Sequence, residues 1–286
     1  LKPVKTMALK EALEKAADSY RKVEDARQEK RNARLDLQRS FMLELLSQAV
    51  TGGEFSQDSL EKIRETLNSY APLSAFSCIF IESREASVPM DSLFLHRENE
   101  WTEAGLIPVW IKAGSGRYAL LAATEHGVGE DVITQFLHCV EDNIRLYQRE
   151  AGVRCIMTVS SITKDISLIH DIYREADRVR ILKFTDQKIL YRITQMSKLD
   201  EPLSGKLLLD LSESIRNKRV PEAKEALTLI LDKLNNFAAT HATMYDSLKE
   251  LQNILFDSGQ EAVELLHCFS FEEMKLRAFE ALENVV

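Results

Sequence analysis

Hydrophobic positions divide the chain into three stretches with different periods. From Leu9 to Phe41 a helical stretch contains no Gly or Pro, and a mostly apolar set of positions alternates between spacings of four and three. From Ala75 to Ile193 short apolar runs alternate with helical patterns, and after Pro202 every pattern is helical. This order predicts an α+β fold with a long N-terminal helix, a mixed sheet with flanking helices and an all-helical C-terminal tail.

The N-terminal stretch has a heptad seam that is polar at its centre. Its seam positions are Leu9, Leu13, Ala16, Tyr20, Val23, Arg27, Lys30, Arg34, Leu37 and Phe41. One interpretation is a solvated, charged helix that is ordered by neighbouring protein. The other is a parallel coiled coil that carries a signal between the halves of a homodimer. A polar centre weakens such a seam, which suits a helix that switches rather than a permanent zipper.

The central stretch predicts one mixed sheet with helices packed on it. The predicted strands are Ala75–Glu82, Ile107–Lys112, Arg117–Ala123, Val153–Val159 and Ile189–Ile193, with residues 83–104 irregular. The first of them is apolar on both faces, as expected for a central strand. The Gly-rich link at residues 113–116 predicts a hairpin.

Helical periodicity predicts the helices of the central stretch and of the tail. Gly152 should end the helix at residues 130–149, and Ser270 with Glu273 predicts a capping box at the last helix. The apolar stripes are Leu60, Ile63, Leu67 and Tyr70; Ile133, Leu137, Val140, Ile144 and Tyr147; Leu168, Ile172, Ala176 and Val179; Leu208, Leu211 and Ile215; Ala223, Leu227, Ile230, Leu234 and Phe237; Met244, Leu248, Leu251 and Leu255; and Met274, Ala278 and Leu282.

Composition, net charge and cysteine spacing argue against several classes of function. The 286 residues have a formal net charge of −8, which argues against a nucleic-acid footprint of clustered Lys and Arg. No apolar run reaches the length of a membrane span and no signal-peptide pattern occurs, so we expect a cytoplasmic location. The four cysteines (Cys78, Cys139, Cys155 and Cys268) lie far apart without a metal-ligand spacing, which favours buried free thiols.

The central stretch resembles the GGDEF fold of diguanylate cyclases in degenerate form. Gly114-Ser115-Gly116-Arg117-Tyr118 stands where that family has its GGDEF hairpin. The residues MTVSSI (157–162) and EADRVRIL (175–182) are similar to two further family patterns. The family's metal-binding carboxylates are replaced by Gly116 and Arg117, and the first strand ends in Glu82, which we interpret as a solvated strand end. The resemblance therefore implies a domain without catalysis, metal or cofactor.

The whole layout resembles the middle of large Gram-positive AraC-family regulators. The order is a charged lead helix, a short FMLELL helix (41–46), the GGDEF-like domain and a tail containing IRNKRVPEAKEALTLIL (215–231). The resemblance implies a signalling helix at residues 1–50, an α/β domain at 51–198 and a helical tail at 199–286 that leads to an output domain outside the chain. It also implies homodimerisation through the N-terminal helix, and DNA binding only through that absent domain. The chain opens on Leu1 rather than Met, so we expect an excised piece whose parent could be membrane-anchored.

Other chemistry receives little support from the sequence, and we expect no catalytic, cofactor-binding or metal-binding residues. His170 has acidic neighbours on a predicted helix, but no nucleotide-binding domain of a histidine kinase accompanies it, which favours a surface or half-buried structural role. The glycines at 114 and 116 lie between two strands rather than at a helix start, which weakens a phosphate-cradle interpretation. Two rival functions stay open: a degenerate nucleotide sensor for GTP or a cyclic dinucleotide, and a structural adaptor.

Overall fold

The structure is a computed structural model. It describes residues 6–51, 61, 65, 73–84, 98–114, 116–184, 188–196, 205–236, 241–256 and 265–285. In that part of the chain the helices are α1 (Thr6–Thr51), α2 (Glu98–Glu103), α3 (Glu130–Ala151), α4 (Ile169–Val179), α5 (Gly205–Arg216), α6 (Val220–Asn236), α7 (His241–Phe256) and α8 (Phe271–Val285). The strands are β1 (Leu73–Ser83), β2 (Leu106–Gly114), β3 (Arg117–Glu125), β4 (Cys155–Val159) and β5 (Leu190–Arg192). Short 3₁₀ turns cover Ile166–Leu168, Arg180–Phe184, Ile193–Gln195 and Leu265–His267.

The five strands form one mixed sheet in the order β2-β3-β1-β4-β5. The β2–β3 hairpin is antiparallel, β1 pairs antiparallel with both β3 and β4, and β5 adds a parallel edge to β4. The predicted α+β class, the long N-terminal helix, the mixed sheet and the helical tail are thereby confirmed. The helix predicted from Leu60 to Tyr70 lies outside the described residues, apart from Glu61 and Glu65, which are helical.

Both faces of β1 are buried because consecutive side chains point to opposite faces of the sheet. On one face Ile79 and Ile81 pack with the apolar stripe of α3. On the other face Phe76, Cys78 and Phe80 pack with α1 and α4. This second face, called here the α1/α4 face, positions the candidate site.

Helix α1 is 46 residues long, and only its C-terminal part packs on the sheet. Met42, Leu45 and Leu46 are buried on the α1/α4 face. Residues 10–34 are exposed along the whole helix surface, including the seam residues Leu13 and Tyr20. The segment 41–46 is therefore a continuation of α1 rather than a separate short helix.

The helical tail packs against the α/β region through a shared apolar core. Tail residues from α5 to α8 form one cluster with Ile156 of β4, Val179 of α4 and Tyr191 of β5. The boundary at residue 199 stays a prediction, but the contacts across it are extensive. None of the helices in the described ranges combines the length and apolar character needed to span a lipid bilayer.

Three local expectations need correction. The stretch 83–104 is not wholly irregular, because α2 lies within it. In α4 the buried stripe begins at Ile169, whereas Leu168 ends a 3₁₀ turn and is exposed. At α8 the Ser270 hydroxyl accepts from the Glu273 N–H as predicted, but the Glu273 carboxylate accepts from the N–H of Phe269, one residue before the cap.

Candidate functional site

Glu82 lies at the end of β1 on the α1/α4 face, in line with Phe80 and Cys78, and its side chain is 1% exposed. The interpretation of Glu82 as a solvated strand end is therefore wrong. A carboxylate at this depth needs charged partners, because burial of an isolated charge is costly. Those partners come from the segment after α4 and from the tail.

Two cations and a histidine surround the Glu82 carboxylate. Lys183 Nζ donates to Oε1 at 2.9 Å, and Arg180 Nη1 lies 3.6 Å from Oε2. Both cationic side chains are about as buried as Glu82 itself. His267 Nδ1, from the tail, lies 3.3 Å from Oε1. These four residues are called the Glu82 cluster below.

The sequence contained a weak signal for this cluster. Arg180 and Lys183 interrupt an apolar run that includes Val179, Ile181 and Leu182. Charged residues in such a run, next to a helix that packs on a sheet, must either reach solvent or find a buried partner. Here the 3₁₀ geometry of residues 180–184 directs both cations toward the end of β1.

The Glu82 cluster extends into the tail through Lys183. Its Nζ also donates to the carbonyl oxygen of Leu266 at 2.5 Å and lies 4.9 Å from the ring centre of Phe269. Arg154, just before β4, donates to the carbonyl oxygen of Phe269 at 2.8 Å. The sheet and the segment that leads into α8 are thus joined by charge-assisted hydrogen bonds.

A second set of polar contacts connects Arg180, through Asp177, to α7. Arg180 Nε lies 2.9 Å from Oδ1 of Asp177, and the Tyr245 hydroxyl donates to Oδ2 of the same carboxylate. Burial alone would raise the pKa of Asp177, but Arg180, the Tyr245 hydroxyl and Lys249 outweigh it and hold the pKa below its ordinary value. Asp177 is therefore an anion that ties α4 to α7.

At Lys183, in contrast to Asp177, burial outweighs the opposite charge. It lowers the pKa of the ammonium group to about 8, while the charge of Glu82 opposes the shift. Lys183 is therefore the member of the cluster whose protonation changes at mildly alkaline pH. In contrast, burial raises the pKa of Cys78, which makes this thiol unreactive.

A cavity of about 410 Å³ lies beside the cluster, among α1, the β2–β3 hairpin, α4 and α7. Its polar lining is mainly cationic, and Phe80, Tyr173 and the end of α1 supply apolar surface. The lining residues are Ala49, Val50, Phe80, Ala113, Arg117, His170, Tyr173, Arg174, Asp177, Arg178, Arg180, Tyr245, Asp246 and Lys249. This space is called the cationic cavity below.

The structure also places the residues considered from sequence. Gly116 lies in the β2–β3 hairpin, and its carbonyl accepts from the N–H of Ser83; Ser115 lies outside the described residues. His170 is half-buried, as predicted, and lines the cationic cavity. Cys78, Cys155 and Cys268 are buried free thiols, as predicted, and Cys139 is half-buried. Across the described ranges, no group of three or more His, Cys, Asp or Glu could hold a metal ion.

Comparison with protein-family models and with curated proteins finds no match for this chain. Any function assigned to the chain therefore rests on its sequence pattern and on the geometry of the Glu82 cluster and the cationic cavity.

Proposed function

We propose that this chain is a non-catalytic signal-relay and dimerisation segment of a bacterial AraC-type transcriptional regulator. It couples an upstream sensor to a DNA-binding unit beyond Val286. The sequence layout motivates the family. The observation that carries the relay is the α1/α4 face, on which the end of α1 packs and from which the Glu82 cluster reaches the tail.

The relay works through packing. A change in the position of α1 alters the contacts of Met42 and Leu45 with the sheet face that also holds α4. The 3₁₀ segment after α4 carries Arg180 and Lys183, which hold Leu266 and His267 of the tail through the Glu82 cluster. Coupling of this kind requires an element with two arrangements that both ends can bias.

The polar centre of the α1 seam is that element. Arg27, Lys30 and Arg34 are exposed, and in a parallel dimer they would face the same residues of the second copy. Repulsion between these like charges opposes a closed seam, whereas the apolar residues on either side favour it. These opposing contributions allow two seam states, open and closed.

The relay is tested by locking the seam. Replacement of Arg27, Lys30 and Arg34 by Leu should give a stable dimer in analytical ultracentrifugation. In the same dimer, hydrogen exchange of the α7 and α8 amides should differ from that of the wild-type chain. The matched control replaces Lys22, Asp25 and Glu29 by Leu, with the same spacing on the opposite helix face, and should change neither property.

Two results contradict the relay. If the triple Leu variant remains monomeric, the seam does not mediate dimerisation. If the variant is a stable dimer but hydrogen exchange in α7 and α8 equals that of the wild type, the seam is not coupled to the tail. The family assignment is tested separately by the parent gene, which should encode a basic pair of helix-turn-helix units after Val286; a stop codon there or another output domain contradicts it.

A further inference from the structure

We propose that α1 can meet a second copy of the chain through two neighbouring faces, and that the packing of Phe41 on the sheet selects between them. The first face is the heptad seam from Leu9 to Phe41. The second face leaves Phe41 packed on its own sheet. Both faces serve the dimer proposed above and rest on that proposal; the second defines how the two copies meet when the heptad seam is open.

The second face repeats the alternating spacing of four and three residues. It shares every other position with the heptad seam, and at the positions in between it uses the preceding residue. Because an α-helix turns by about 100° per residue, the centres of the two faces lie roughly 50° apart around the helix. The residues of this face, called the second seam below, are Ala12, Ala16, Ser19, Val23, Ala26, Lys30, Ala33, Leu37 and Ser40.

The charge in the core favours the second seam. In a parallel dimer, each core residue faces its counterpart in the other copy. The heptad seam brings Arg27, Lys30 and Arg34 of both copies into the core, whereas the second seam brings in Lys30 alone. A single Lys at a core position lowers stability but fixes the register of parallel helices. Arg27 then lies at the flank, where Glu24 of its own helix is its partner at 3.9 Å.

Apolar burial acts in the opposite direction. The second seam has Ala or Ser where the heptad seam has Leu13, Tyr20 and Phe41, so it removes less apolar surface from water. Charge therefore favours one seam and apolar burial the other. Replacing the three central cations by Leu should move the dimer to the heptad seam.

The structure shows which seam is accessible while α1 packs on the sheet. All the residues of the second seam are exposed, including Ser40 at its end, and the shared Leu37 is 44% exposed. In contrast, Phe41 at the end of the heptad seam is half-buried and packs on the α1/α4 face. The heptad seam can therefore close over its full length only when Phe41 leaves the sheet, whereas the second seam has no such requirement.

Phe41 thereby connects the choice of seam to the α/β region. It precedes Met42 and lies one turn before Leu45, and both of these are buried in the cluster on which Phe41 packs. The same cluster contains Phe80 of β1 and Ile172 of α4. A change from the second seam to the heptad seam takes the Phe41 ring from this cluster, so the packing of the sheet and the pairing of the two copies bias the same equilibrium.

Disulfide cross-linking of single-cysteine variants distinguishes the two seams. Ser19→Cys places a thiol in the second seam, and Tyr20→Cys places one in the heptad seam. Ala12→Cys and Leu13→Cys form a second pair of the same kind, and all four positions are exposed. A disulfide needs Cα atoms roughly 4–7 Å apart, so mild oxidation should link two copies fastest at the positions that face each other.

Two controls measure the background. Asp25→Cys places a thiol on the side of α1 away from both seams, at an exposed position. The chain without an added cysteine reports any cross-linking by its own thiols, of which Cys139 is half-buried and the others are buried. Rates at the seam positions are compared after subtraction of these two.

With the native charges, we expect Ser19→Cys to cross-link several-fold faster than Tyr20→Cys, and Ala12→Cys faster than Leu13→Cys. When Arg27, Lys30 and Arg34 are also replaced by Leu, both preferences should reverse. In that background, hydrogen exchange of the amides at residues 38–46 should become faster, because Phe41 has left the sheet.

The alternative results overturn different proposals. Faster cross-linking at the heptad positions with the native charges, equal rates within each pair, or preferences that do not reverse keep the dimer but reject the second seam. Reversed preferences without faster exchange at residues 38–46 reject the selection by Phe41. If no variant cross-links above the controls in either background, the dimer itself is rejected and the second seam with it.

Discussion

Lys183 Nζ lies 2.9 Å from Oε1 of Glu82, although 101 residues separate the two along the chain. Each is almost completely buried, so each needs the other's charge. The pair fixes the end of β1 against the segment that leads out of α4. That segment is therefore held by charge as well as by the apolar packing of Ile181 and Leu182.

Neutralising Glu82 should destabilise the protein strongly. Glu82→Gln leaves Arg180 and Lys183 buried without their counter-charge, which we expect to lower the free energy of unfolding by about 3–5 kcal/mol. Urea denaturation followed by circular dichroism measures the change. The control Glu283→Gln breaks an exposed pair with Lys224 and should leave the midpoint unchanged.

A companion variant shows that the loss comes from unpaired charge. Replacing Glu82, Arg180 and Lys183 together by Met removes the three buried charges at similar volume, while Asp177 keeps the Tyr245 hydroxyl and Lys249 as partners. We expect this triple variant to recover most of the stability that Glu82→Gln loses. A triple variant less stable than Glu82→Gln would mean that the three charges contribute net stability themselves.

Lys183 should make stability rise with pH on the alkaline side. Its pKa is about 8 in the folded protein and 10.5 as an ordinary lysine, so between these values the unfolded chain binds more protons than the folded one. Lys183 by itself therefore makes the free energy of unfolding increase with pH in this window, whereas the raised pKa values of the buried Cys78 and Cys268 thiols make it decrease from near their ordinary value of 9.0. Lys183→Met should remove this part of the slope.

The measurement is a series of urea denaturations from about pH 7.5 to pH 9.5 on both proteins, a window around the folded pKa of Lys183. It stops below the ordinary tyrosine pKa of 10.0, because burial raises the pKa of Tyr173 and Tyr245 and would lower stability above that value. Parallel slopes for the wild type and Lys183→Met would contradict the assignment.

Gly105 should tolerate alanine poorly for two separable reasons. Its φ of +79° disfavours any L side chain, and an added Cβ would lie 2.6 Å from Cγ2 of Val128. Gly127 has a similar φ of +87° but open space around it. We expect Gly127→Ala to cost about 1 kcal/mol from the backbone alone, and Gly105→Ala roughly 2 kcal/mol or more.

Thermal unfolding of the two alanine variants gives the comparison. Adding Val128→Ala to Gly105→Ala should remove the steric part, after correction for Val128→Ala alone. If the double variant shows no such recovery, the backbone conformation accounts for the whole effect at Gly105.

Gln38→Leu should stabilise the protein. The side chain is 1% exposed, and neither its amide nitrogen nor its oxygen has a hydrogen-bond partner in the described part of the chain. Removal of an unsatisfied buried amide at similar volume should raise the free energy of unfolding by about 1–3 kcal/mol. The control Gln28→Leu changes an exposed position of the same helix and should stay within about 0.5 kcal/mol of wild type. A destabilised Gln38→Leu variant would indicate a role for the amide that the described residues do not reveal.

Regular elements were predictable because their signals are local. Helix α3 was predicted at residues 130–149 and lies at Glu130–Ala151, since its apolar period is uninterrupted and Gly152 ends it in the left-handed conformation. The hairpin and the edge strand β5 followed from apolar runs bounded by polar residues. Leu168 was assigned to the buried face because its spacing to Ile172 is helical, but the 3₁₀ turn before α4 changes the phase.

The candidate site was not predictable in the same way. Glu82 gains its partners from residues 180, 183 and 267, and no local pattern connects a strand end to such distant positions. Arg117, Arg174 and Lys249 meet at the cavity only because three elements converge there. Apolar periodicity predicts which apolar residues are buried, but it does not predict which charged side chains are buried beside them.

The length of α1 has a consequence for proteolysis. At about 1.5 Å per residue its 46 residues extend roughly 69 Å, and the exposed part between Arg21 and Arg34 contains several trypsin sites. In a monomer this part is held only by its own helical hydrogen bonds, which open often in an isolated helix. In a closed seam the same bonds open rarely. For the proposed dimer, the rate of tryptic cleavage between Arg21 and Arg34, measured in a cell lysate, should therefore fall when the seam closes.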